Sequence, residues 1–189
     1  MASDHQRTVP AKLYFTDSDE ANALIASDPM ALLIGFTLDQ QVPVQKAFIG
    51  PLVIRERVGS LDPGALLAAD LDTVFREKPA VHRFPGSMAS RVRALAEQVQ
   101  QRYGGDAGKV WKGVRDPDRL RANIAELPGF GEMKVKALSA VLAKRFNVAA
   151  AKPLVPPHPT LGDVDSKQAL ADYQAAKRAH KAEWMAARA

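Results

Sequence analysis

The residues best suited to chemistry lie at 127–134, which read LPGFGEMK. Gly129 and Gly131 carry no side chain, can take positive φ, and leave backbone amides uncovered. Glu132 opens a helix whose first N–H groups lack intrahelical partners, and such a terminus attracts phosphates. Lys134 and Lys136 add positive charge nearby, suited to contacts with a nucleic-acid backbone that do not depend on sequence. Glu132 opposes this locally, although a carboxylate also suits a helix N-terminus. An isolated PGxG is more often a glycine-capped turn between two helices. A dinucleotide fingerprint would need a third glycine after a strand, and a P-loop would need four residues between its glycines and a Lys-Ser/Thr pair. Neither pattern is present.

Other reactive groups are sparse. There is no cysteine, which excludes disulfides, thiol catalysis, cysteine zinc sites and iron–sulfur clusters. His5, His82, His158 and His180 have no metal-ligand spacing, and no GxSxG elbow occurs. His82 and His158 fall in loops. Asp163 and Asp165, in DVDSKQAL, stand where aspartates cap a following helix. Trp111 lies between cations in KVWKGVR and is placed near an anionic partner; Phe36 belongs to an apolar helix and is assigned to the core.

The elements that must position these groups are helical. At 189 residues with a 47% hydrophobic fraction, the chain can form one domain, or one domain with two lobes. The net charge of +5 favours an anionic partner without identifying it. The N-terminus has no apolar core resembling a signal peptide, and no apolar run reaches membrane length. Strand-like alternation is limited to residues 13–15. Asp28-Pro29 starts a helix that is apolar nearly all round, hence buried, and that ends near Val42 before Pro43. A second helix follows, with a kink expected at Gly50-Pro51. After another start at Asp62-Pro63 and a loop at 78–87, the spacing of Val92, Leu95, Ala96 and Val99 predicts a helix over 88–103, stopped by Gly104-Gly105. Asp116-Pro117 opens the first hairpin helix. The second, over 132–146, sets Val135, Leu138, Val141, Leu142 and Phe146 on one face and Lys136 opposite. The proline-rich stretch at 152–162 is expected to be irregular, and an alanine-rich charged helix spans 166–188, docked by Trp184.

The string Leu-Pro-Gly-Phe-Gly between two amphipathic helices, with LLIGFTLDQQVPVQKAF and RFPGSMASRVRALAEQV before it, resembles the HhH-GPD superfamily of base-excision repair proteins. The 3-methyladenine DNA glycosylase II and endonuclease III branches are the most similar, over roughly residues 28–165. The resemblance implies an all-α, two-lobed fold spanning 1–189, with a helix-hairpin-helix at 117–146 and a cleft between the lobes. It implies binding of double-stranded DNA through Leu127, Gly129, Phe130, Gly131, Met133, Lys134 and Lys136, with a monovalent cation possible at the hairpin. No further cofactor or iron–sulfur cluster is implied. Gln41, with Gln40 beside it, occupies the position from which relatives fill the gap left by a flipped nucleotide. Arg91 and Arg93 could face DNA or belong to a solvated helix face. Met133 stands where strand-cleaving relatives keep a nucleophilic lysine, and Lys134 is one residue late, about 100° around the helix. The implied activity is therefore a monofunctional DNA glycosylase, a hydrolase without lyase activity. Its carboxylate would be Asp163 or Asp165, since none occurs between Glu132 and Asp163. Two further readings are a DNA-binding protein that recognises lesions without excision, and a helical scaffold that binds protein. A monomer in the cytoplasm, associated with the nucleoid and not with membrane, is expected.

Overall fold

The structure is a computed structural model that describes residues 9–188; His5 lies outside them. Nine α-helices follow in order among these residues: α1 Asp19–Ser27, α2 Pro29–Leu38, α3 Val44–Val58, α4 Pro63–Ala68, α5 Leu71–Arg76, α6 Pro85–Tyr103, α7 Pro117–Ala125, α8 Glu132–Lys144 and α9 Lys167–Ala186. Three short 3-10 turns occur, at Ala107–Val110, Ala149–Leu154 and Leu161–Asp163. No strand occurs among the described residues, so the fold is all-α. The alternation at 13–15 places Leu13 and Phe15 in the core without a strand partner.

The centre is α2. The Asp28 carboxylate accepts from the Met30 and Ala31 amides at 2.8 and 3.3 Å, which fixes the helix start. Every residue from Met30 to Leu38 is buried. Such an element must be enclosed on all sides, and α1, α3 and α6 pack on it. Phe36 meets the Phe48 ring edge-on at 5.2 Å, and Phe48 meets Phe15 at 5.0 Å. The helix stops at Leu38, short of Val42, because the next four residues form a turn with its own anchors. α3 runs through Pro51 as one helix, and α6 begins at Pro85, three residues before the expected start.

The hairpin pair α7 and α8 buries Leu120, Ile124 and Leu127 from one arm and Val135, Leu138, Val141 and Leu142 from the other. The proline-rich stretch is more ordered than its composition suggested. Its 3-10 turns pack along α7 and α8. A Cβ on Gly162 would lie 2.5 Å from the Ala140 carbonyl oxygen, so only glycine lets this segment approach α8 so closely. The tail helix α9 departs from expectation: Leu170 alone is buried in it, and Trp184 is 52% exposed instead of docked. No single helix among the described residues is long and apolar enough to cross a membrane.

Candidate nucleic-acid interface

The hairpin tip is an exposed loop on buried anchors. Leu127 and Phe130, expected among the DNA contacts, are buried, and their side chains hold the loop down. The Phe130 amide is taken by the Leu127 carbonyl at 3.1 Å. Gly129, between them, has φ +79 and is exposed. Gly131 does not need glycine's freedom; its φ of −76 suits any residue. It contributes open space, since a Cβ there would meet no atom within 4 Å. Neither glycine amide has a protein acceptor among the described residues. Beyond them the α8 N-terminus has no side-chain cap. An anion approaching the tip would therefore find free N–H groups and the positive helix end.

The charges around the tip differ from the sequence expectation. Glu132 is paired with Arg121 at 3.0 Å and Lys136 at 3.7 Å, so its charge is neutralised locally. Its hydrogen bond to Arg121 holds its carboxyl below the usual range. Met133 points into solvent, 82% exposed. Lys134 does not extend outward as a free phosphate ligand. Its Nζ donates to the Thr37 carbonyl at 3.3 Å and lies 5.6 Å from the Phe130 ring centroid. Burial pushes this amine down to about 8, against the pull of Asp39 and with the push of Arg91. Lys134 thus braces the hairpin against the C-terminal end of α2. Arg91 takes the outward role: its guanidinium lies 3.4 Å from where a Gly129 Cβ would be, and it has no carboxylate partner among the described residues. Arg93 is occupied otherwise, donating to the Leu67 and Ala69 carbonyls at 3.0 and 2.8 Å.

The turn after α2 stands across from the hairpin, joined to it by Lys134. Gln41 is exposed and has φ +54, a conformation that costs a residue with a Cβ about 1 kcal/mol. Gln40 is half-buried. The turn is held by His82, which is buried although it falls in a loop. Its Nε2–H donates to the Leu38 and Gln40 carbonyls at 3.1 Å each, and its Nδ1 accepts the Phe84 amide at 3.1 Å. These bonds require the neutral Nε2–H tautomer.

The carboxylates are distributed unexpectedly. Asp163 is no free carboxylate: Oδ2 accepts the Thr160 amide at 2.8 Å in a capping box, and Oδ1 accepts from Lys144. Burial raises its proton affinity, but the Lys144 and Thr160 hydrogen bonds outweigh it and hold the carboxyl below the usual range. Lys144 is the last residue of α8, about 18 Å along the helix from the tip. Asp165 is exposed, and the cap of α9 is Ser166, whose Oγ accepts the Ala169 amide at 3.1 Å. The carboxylate whose charge reaches the hairpin lysine Lys134 is Asp39, at the C-terminal end of α2. Burial pushes its carboxyl up, while Lys177 and Lys134 pull it down. The sequence signal for it was a lone charge directly after a wholly apolar helix. Ala151, within the stretch between Glu132 and Asp163 that has no carboxylate, is buried in a 3-10 turn. Trp111, expected near an anionic partner, is also buried. No group of three or more metal-ligating side chains occurs among the described residues. In comparisons with known proteins, the chain matches no family model, no curated protein and no solved structure.

Proposed function

We propose that the protein binds double-stranded DNA at a damaged or distorted site, on a scaffold like that of the HhH-GPD repair proteins. The observation that carries this reading is the pairing of two exposed tips. The hairpin, with free amides at Gly129 and Gly131 and Arg91 beside them, suits a backbone phosphate. The strained Gln41 turn, tied to the hairpin through Lys134 and Thr37, suits a side chain that enters the duplex beside it. Recognition without excision is the version the geometry favours, because the Asp163 carboxylate is consumed by a cap and an ion pair.

One observation favours a second reading, a monofunctional glycosylase. Asp39 places a half-buried carboxylate beside the Gln41 turn, where it could stabilise positive charge on a flipped sugar. The two readings separate on oligonucleotides carrying alkylated, deaminated and oxidised bases, followed by alkali to reveal abasic sites. Binding to a duplex with an abasic-site analogue and no base release is expected of the binder. Base release that is lost on Asp39→Asn, and kept on Asp163→Asn, would establish the glycosylase. No binding at low salt would refute both.

A further inference from the structure

The tail helix runs past the α2 turn and continues into solvent. Gln45 and Gln174 exchange hydrogen bonds through their amides at 3.1 and 2.8 Å, fixing α9 to the start of α3. Tyr173 and Lys177 lie close enough to Asp39 to feel its charge. The body-facing positions are thus Leu170, Tyr173, Gln174 and Lys177, spaced by three and four. The same stripe continues as Lys181, Trp184 and Arg188, but residues 178–188 are all exposed and have no body beneath them. The nine of these residues that are helical, up to Ala186, extend about 13 Å.

That overhang is cationic. From residue 178 onward it carries Arg178, Lys181 and Arg188 against Glu183 alone, three positive charges less one, or +2 with His180 neutral. The whole chain has +5. Arg188 lies over the Trp184 ring at 3.8 Å. A membrane-surface helix would need a broad apolar face, and this segment has only Trp184 and Met185 as large exposed apolar groups. A second copy of the chain would bring cations against cations. The overhang begins at the Asp39–Gln41 turn, one of the two tips assigned to DNA above.

We infer that the outer half of α9 is a backbone clamp that lies along the DNA and lengthens the footprint beyond the hairpin. The inference rests on the DNA reading proposed above. Trp184 supplies the readout, because Trp111 is buried and only Trp184 is open to acrylamide. Binding of a duplex with an abasic-site analogue should cut acrylamide quenching at least twofold. The triple variant Arg178→Ala, Lys181→Ala, Arg188→Ala should keep its helix content, since alanine favours helix. It should lower the slope of log K against log salt by about 2 to 3. Wild-type protein that binds the duplex while Trp184 stays fully quenchable, with an unchanged slope in the variant, would overturn the clamp and leave the hairpin reading intact. No duplex binding by the wild type would overturn both. Shielding of Trp184 by phosphatidylserine vesicles, but not by DNA, would reassign the helix to a membrane surface.

Discussion

Gln41 takes a backbone conformation that glycine or asparagine more often fills, and His82 is the residue that makes the turn hold. One buried imidazole gathers two carbonyls from the turn and one amide from the next loop. It can do so only while neutral. Burial holds its pKa below the ordinary value, against its bonds to Leu38 and Gln40. The unfolded chain, with a histidine near 6.5, therefore takes up a proton before the folded one does. The stability His82 contributes is full above about pH 7 and is lost as pH falls through 6.5 toward the folded value. The slope from this one group is at most about 1.4 kcal/mol per pH unit. Urea midpoints between pH 7.5 and 5.5 should fall for the wild type and fall less for His82→Asn. Asp39, whose carboxyl is raised by burial, works in the opposite sense, so the difference between the two proteins is the quantity to read. Equal slopes would show that His82 is not the titrating anchor. Nothing in KPAVHRFPGS marks this histidine as buried; its partners are carbonyls 42 and 44 residues away.

The elements themselves were largely readable, and the reasons are local. Asp28-Pro29 and Asp116-Pro117 each gave a helix start, because cap and fixed φ act within three residues. The hairpin glycines were readable as a tip but not as two different devices. Gly129 is required by φ +79, while Gly131 is required only by open access. Substitution separates them. Gly129→Ala should destabilise the fold by about 1 kcal/mol and weaken duplex binding, since the loop must re-form around the new Cβ. Gly131→Ala should leave the melting temperature unchanged, whereas Gly131→Asp should weaken binding on all sequences alike by placing an anion at the phosphate position. Thermal melts beside duplex titrations check this; Gly131→Asp with wild-type affinity would remove the hairpin from the interface. The proline-rich segment is more regular than its composition predicts, because composition reports the absence of a long helix and says nothing of 3-10 turns held by a neighbour. The partners of Asp163, Thr160 and Lys144, are hidden for the same reason: they become visible only when that turn is laid against α8.

At the scale of the whole molecule, the two lobes that the resemblance implies could unfold in two steps, yet the packing argues for one. The buried apolar residues from Leu13 to Leu170 form a single contiguous cluster. The central α2 touches α1 and α3 on one side and α6 and the Ala107–Val110 turn on the other. The turn before the hairpin is tied in as well, since Asn123, buried on α7, donates to the Val110 carbonyl at 3.0 Å. Lys134 adds the brace from α8 to the end of α2. Neither half can leave without exposing the apolar surface of α2, which has no polar face to turn toward water. Chain order could not reveal this, because α2 and the hairpin lie about a hundred residues apart. Urea unfolding followed by far-UV circular dichroism should therefore coincide with unfolding followed by Trp111 fluorescence in a Trp184→Phe variant, in one transition. The isolated segment 117–146 should show little helix, because Leu120, Ile124, Leu138 and Leu142 find their cover in the rest of the core. Separate transitions for the two probes, or a stably helical 117–146 fragment, would mean that the hairpin is an independent unit. Its position relative to Gln41 would then be set by the Lys134 contact alone instead of by the shared core.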